Sequence, residues 1–131
     1  MGSVVYLDAS ALVKLVVEEP ESRALTLRLR QHQTHASASL AATELLRAVR
    51  RADPGALPRA RAVLGTLVTI QLTPTLLETA GLLEPTTLRS VDAIHLVAAR
   101  SLGSDLDALF TYDERMIGAA TSLGVPTLAP A

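Results

Sequence analysis

Cysteine and tryptophan are both missing from this sequence, and the aromatic side chains amount to Tyr6, Phe110 and Tyr112 in 131 residues. Without cysteine there is no disulfide framework and no thiolate metal site, so any metal must be held by oxygen, or by His32, His35 and His95. So few aromatics provide no stacking platform for nucleic-acid bases. No stretch reaches the roughly 18 uninterrupted apolar residues of a membrane-spanning helix. The opening MGSVVYLDAS also lacks the basic segment of a secretion signal. The expectation is a soluble cytoplasmic protein. There are no internal repeats, low-complexity tracts or linkers, which implies a single domain over residues 1–131.

What the chain does have is apolar bulk with a few charges set into it. Hydrophobic residues make up 49%, mostly Leu, Ala and Val. Apolar runs alternate with helical patterns: SVVYL, THASAS, LVTIQL, ALFTY and VPTLAP read as strands. Between them, DASALVKLVVEE, a segment from Pro20 to about Arg30, one from Ser39 to about Ala52, one opening at Pro58, TPTLLETAGLL, VDAIHLVAARSL and DERMIGAATSLG read as helices. Ser39 and Ser90 are the expected caps of the third and sixth helices, and Gly124 the stop of the last. Strands of this kind, separated by helices, predict an α/β fold: a three-layer α/β/α sandwich around a mainly parallel sheet.

Four acids interrupt the apolar segments: Asp8 in VVYLDASALV, Glu44 in LAATELLRAV, Asp92 in LRSVDAIHLVAA and Asp113 in LFTYDERM. A carboxylate among core residues needs a cation, a proton or a helix end to compensate it. Asp8 and Asp113 follow the first and fourth strands, at the carboxyl edge where α/β sheets bind ligands. Glu44 shares a helical stripe with Leu40 and Ala48, and Asp92 lies in a helical first turn with Leu96 and Ala99 on its side. Each acid alone has an ordinary structural explanation. Asp8 and Asp113 can cap helices, Glu44 can pair with Arg47, and Asp92 can complement a helix dipole. If the four converge, they make a pocket for a divalent metal such as Mg²⁺, a hard cation that takes carboxylate oxygens and water.

Charge is also unevenly spread. Residues 1–65 hold nine basic and six acidic side chains, and residues 66–131 hold three and seven. Eleven of the twelve basic residues are arginine, whose planar fork suits phosphate. Arg47, Arg50 and Arg51 fall at helical spacing after Glu44, a basic face for an RNA backbone or an acidic partner. Phosphate contacts of this sort position a strand without reading its bases.

The segments YLDASALVKL, ATELLRAV, LRSVDAIHLVAA and FTYDERMIGAA resemble, in order and spacing, the four motifs of PIN-domain proteins, with VapC-type toxin ribonucleases nearest in pattern. The likeness spans nearly the whole chain, and its specificity lies in the ordered set. It places Asp8, Glu44, Asp92 and Asp113 on the family's acidic quartet, and Ser10 and Thr111 on positions where small hydroxyl residues support the acids. It implies a PIN-like sandwich, Mg²⁺- or Mn²⁺-dependent cleavage of RNA, a homodimer and a cognate antitoxin whose tail lies across the groove near the acids. In that pattern His95 supports or packs rather than ligates. The helices over residues 9–30 are the expected antitoxin or dimer surface, with core packing as the alternative. Two other classes remain: a non-catalytic PIN-like module that binds RNA or a partner, and a phosphatase with an aspartate nucleophile. The latter needs a second Asp two residues after the first, where this chain has Ser10.

Overall fold

The computed structural model describes residues 2–131. Five strands form one sheet, β1 (Val4–Leu7), β2 (Thr34–Ala38), β3 (Val68–Ile70), β4 (Leu106–Phe110) and β5 (Thr127–Leu128), in the order β3-β2-β1-β4-β5. Every neighbouring pair is parallel. Seven helices join them: α1 (Ala9–Lys14), α2 (Ser22–Leu29), α3 (Ala41–Ala52), α4 (Leu57–Gly65), α5 (Pro74–Gly81), α6 (Ser90–Arg100) and α7 (Glu114–Ser122).

The three layers follow from the pleat. Val5 and Leu7 of β1, with Ala108 and Phe110 of β4, pack with Leu12, Leu25, Leu45, Val49 and Ala60 from α1–α4. Tyr6 and Leu109 point the other way, into a core shared with Leu96, Ala99, Met116 and Ala120 of α6 and α7. Because the inner residues of β1 and β4 are covered on both faces, β1 reads as an unbroken apolar run and β4 as one interrupted only by Asp107 near its less buried start. The outer strand β3 is shorter and more exposed than LVTIQL suggests.

Several helix ends differ from expectation. DASALVKLVVEE is helical only to Lys14 and leaves through a turn at Val16 and Val17, each donating its N–H to Val13 O. Pro20 bars a helix through Glu19, and Ser22 closes the corner: its Oγ accepts from Glu19 N–H (2.9 Å) and donates to Val17 O (3.4 Å). Ser39 does not cap α3 with its side chain, and Ser90 is the first residue of α6 after an extended Arg89. Gly124, at φ 73°, ends α7 as its pattern implies.

The apolar residues of α1 and α2 largely enter the core. Leu12 and Leu25 are fully buried and Leu29 nearly so, while Leu27 stays half exposed. Packing therefore accounts for most of the hydrophobicity over residues 9–30.

Candidate active site

The strand order reverses between β1 and β4, because β2 and β3 extend to one side of β1 and β4 and β5 to the other. At such a switch point the two carboxyl ends part and leave a crevice. Asp8 stands at the end of β1, and Thr111 and Asp113 just past β4.

Asp8 is the most elaborately held of the acids. It is the N-cap of α1, its Oδ1 accepting from Ala11 N–H (3.1 Å) and from the Ser10 hydroxyl (2.6 Å). Its Oδ2 accepts from the Thr111 hydroxyl (2.6 Å). Ser10 Oγ in turn accepts from Tyr112 N–H (2.9 Å), and Thr111 Oγ1 from Asp113 N–H (3.2 Å). Capping and site-building are thus one arrangement, and the two hydroxyls fasten the loop after β4 to the carboxylate after β1. Burial pushes the Asp8 carboxyl above its ordinary pKa, against the opposing pull of the Ser10 and Thr111 hydrogen bonds. Among the described residues no cationic side chain forms an ion pair with it.

Two of the other acids, Asp113 and Asp92, connect to it through intermediaries, and Glu44 stands on a separate chain. Asp113 caps α7, accepting from Arg115 N–H (2.9 Å). Asp92, 4% exposed in the first turn of α6, receives Arg89 Nε at 2.9 Å and Nη2 at 3.2 Å. The same Nη2 reaches Asp113 at 3.0 Å. Arg89 therefore bridges two of the acids, and its guanidinium is held more firmly protonated chiefly by the bond to Asp92. Glu44, in the first turn of α3, makes no ion pair with Arg47, and its Oε1 lies 2.6 Å from His95 Nε2. His95 lies one turn after Asp92 on α6, and Tyr6 Oη contacts its Nδ1 at 2.6 Å. Burial drives the Tyr6 phenol well above its ordinary pKa, and the charges of Asp8 and Glu44 add to the rise.

Asp8, Asp113 and Asp92 thus belong to one hydrogen-bonded network with Ser10, Thr111 and Arg89, while Glu44 ends a separate chain through His95 and Tyr6 to Ala38 N–H. The four acids are not drawn to a single point: among the described residues no three Asp, Glu or His side chains are grouped tightly enough to enclose an ion. Arg47, Arg50 and Arg51 are exposed, free of ion pairs among the described residues, and line one shallow depression of about 270 Å³. Arg59, further along the basic stretch, instead donates its Nε to Leu15 O after α1. His32 and His35 lie at the amino end of the sheet, where His35 Nε2 contacts Leu29 O and His32 O. That is the opposite edge from Asp8.

Sequence reasoning missed Arg89 and Tyr6. The i,i+3 spacing of Arg89 and Asp92 was a usable sign of their pairing, whereas the reach to Asp113, 24 residues on, carries no local signal. Tyr6 looked like core and is core, with only its hydroxyl joining the chain to Glu44.

An all-oxygen set of carboxylates suits a hard divalent cation. Asp8, buried, without an ion pair among the described residues and with desolvation outweighing its hydrogen bonds, is the observation that fits one best, since a cation there would offset that desolvation.

Comparison with known proteins supplies the family. The PIN domain model matches residues 5–121, and the chain belongs to the PIN-domain family. It is 44% identical over 128 residues to Ribonuclease VapC46 of Mycobacterium tuberculosis, covering 98% of each chain. In structure it resembles M. tuberculosis VapC20, described as a sarcin-ricin loop cleaving toxin, with a TM-score of 0.76, 16% identity and 96% and 99% of the two chains covered. It also resembles a chain of a toxin-antitoxin complex from Klebsiella pneumoniae, with a TM-score of 0.73, 20% identity and 97% and 98% coverage. At these identities the structural likenesses speak to the fold.

Proposed function

We propose that this protein is a divalent-metal-dependent endoribonuclease, the toxin of a toxin-antitoxin pair, with Asp8, Glu44, Asp92 and Asp113 as its metal-holding acids. The observation that carries the reading is Asp8: a buried carboxylate at the switch point, fixed by Ser10 and Thr111 on both oxygens and in no ion pair among the described residues. Its kinship with ribonucleases named VapC supports the reaction class.

In this reading Asp8 and Asp92, both buried, are direct ligands, while the more exposed Glu44 and Asp113 ligate directly or through water. Bound Mg²⁺ or Mn²⁺ would supply an activated water and offset charge gathering on the phosphoryl oxygens. Ser10 and Thr111 keep both Asp8 oxygens aimed, so little reorganisation accompanies binding. Arg47, Arg50 and Arg51 hold the RNA backbone through phosphates, without reading its sequence. Arg89, 58% exposed, is the cation that gives up Asp92 and Asp113 when a metal binds.

The antitoxin is expected in the groove of about 470 Å³ between α1, α2 and α4, where Leu15, Val16 and Leu27 lie beside Arg23, Arg30 and Arg59. An extended acidic segment with apolar anchors fits that lining. Two copies of the chain form the expected homodimer, acting in the cytoplasm.

The test is cleavage of a pool of structured RNAs by purified, antitoxin-free protein with Mg²⁺ or Mn²⁺, with EDTA, and with Asp8→Asn in parallel. Metal-dependent cutting that disappears in Asp8→Asn is the expected result. Well-folded protein that binds RNA but never cuts it would overturn the enzyme in favour of an inert binding module.

A further inference from the structure

The buried Tyr6–His95–Glu44 chain is unusual for how much it invests in one half-exposed carboxylate. Glu44 projects from α3, His95 from α6 and Tyr6 from the central strand β1, so three separate elements meet through two contacts of 2.6 Å. His95 and Tyr6 are essentially without solvent access. The Tyr6 hydroxyl is itself anchored, since its oxygen accepts from Ala38 N–H at 3.1 Å. The rings of Tyr6 and His95 meet edge to face with centroids 5.7 Å apart, which fixes the imidazole plane. Everything about the ring is thereby set except what it holds, and what it holds is Glu44 Oε1.

We propose that His95, pinned by Tyr6, is a positioning residue that donates its Nε2 proton to Glu44 Oε1 and so leaves Glu44 Oε2 as the oxygen offered to the metal. The inference rests on the proposed carboxylate metal site and concerns how this chain prepares one ligand of it. The direction of the proton follows from the pairing. A neutral ring with its proton on Nδ1 would set a bare Nε2 lone pair against an ionised carboxylate at 2.6 Å, which is repulsive. In the other neutral tautomer the Tyr6 hydroxyl donates to Nδ1, and in the charged ring both nitrogens carry protons. Nε2 donates in each of these. A carboxylate held on one oxygen by a buried imidazole loses rotamer freedom and keeps one free edge, the role that hydrogen-bonding partners of metal ligands commonly play. The sequence separation of 51 between Glu44 and His95 hides the pairing from any local motif.

The experiment has a spectroscopic and a binding arm, both on the full chain. Imidazole ¹⁵N–¹H correlation spectra of metal-free protein are expected to show a proton on His95 Nε2 that exchanges slowly with water. A bare Nε2 overturns the proposal. Mn²⁺ binding is then measured for wild type, His95→Leu and His95→Gln, with unfolding midpoints alongside. Leucine can neither donate to Glu44 nor accept from Tyr6, whereas glutamine can do both. Binding about tenfold weaker for His95→Leu, largely restored in His95→Gln, is expected. Equal binding in all three, or an equal loss in two well-folded variants, overturns the positioning role. Wild-type protein that neither binds Mn²⁺ nor cuts RNA would instead remove the metal reading, and the pairing with Glu44 would be decided by the spectrum alone.

Discussion

Asp8 shows how one residue can serve the fold and oppose it. As an N-cap it satisfies Ala11 N–H, yet its charge is buried, and burial raises its pKa above the value it has in the unfolded chain. A carboxyl with a raised folded pKa favours folding in its protonated form. That contribution is complete below the unfolded pKa and disappears as pH climbs through the folded one, so at neutral pH ionised Asp8 detracts from stability. Asp8→Asn retains the cap through its Oδ1 and sheds the charge. In chelator-containing buffer it should unfold at a higher urea concentration than wild type at pH 7, with the gain narrowing as pH falls through the raised Asp8 pKa. Its RNA cleavage should drop by on the order of a hundredfold or more. Arg89 leads to a second expectation. Its guanidinium occupies Asp92 and Asp113 from a largely exposed position, so its energetic weight is modest. Arg89→Ala should tighten Mn²⁺ binding by roughly two- to fivefold in a titration, as suits removal of a weak competing cation. Weaker binding would instead make Arg89 a support of the site. The acids themselves were legible in the sequence because carboxylates inside apolar runs are anomalous. Their intermediaries were not, because an arginine beside a turn and a tyrosine inside a strand look ordinary until the fold brings their tips to the acids.

At the scale of the element, the strands were the most readable part, since the inner residues of β1 and β4 are covered on both faces and must be apolar, Asp107 falling at the less buried start of β4. Helix ends were harder. Asp8, Thr73 and Asp113 cap with their side chains, whereas Ser39 and Ser90, equally suitable by type, do not. A cap is settled by backbone conformation at one residue, which composition does not determine. The end of α7 was legible for the converse reason. Gly124 takes a φ of 73°, while Val125 N–H returns to Ala120 O at 2.9 Å, and a side chain at 124 strains that turn even with open space around it. Gly124→Ala should reduce stability by about 1 kcal/mol in urea unfolding, with cleavage by folded protein unchanged. On α3, Glu44 faces His95 while Arg47, Arg50 and Arg51 stay in solvent, so the helix has a site end and a basic flank. Replacing all three arginines with glutamine in an Asp8→Asn background should weaken RNA binding. The slope of log affinity against log salt should become shallower by about two. An unchanged slope would assign this face to a protein partner.

Across the whole molecule the contacts of the acids join pieces that are far apart in sequence. Thr111 meets Asp8 over 103 residues, His95 meets Glu44 over 51, and Arg89 meets Asp113 over 24. Those contacts tie β1, α3, α6 and the loop after β4 to one edge of the sheet, and most of them gather negative charge that the fold compensates incompletely. A divalent cation bound there acts on global stability as well as on chemistry, because it binds the folded chain and has no assembled site in the unfolded one. At a free concentration one hundred times its dissociation constant such a ligand contributes about 2.7 kcal/mol. Mn²⁺ titrated into chelator-stripped protein should therefore raise the unfolding midpoint progressively, and EDTA should reverse the rise. The same titration on Asp8→Asn should start from a higher midpoint and gain much less, since the substitution removes both the buried charge and a ligand. An equal rise in both proteins would place the cation elsewhere, on the scattered surface acids such as Glu78, Glu84 and Asp105. The crossing of the two curves, variant above wild type without metal and below it with metal, ties the stability deficit at Asp8 to the site it builds.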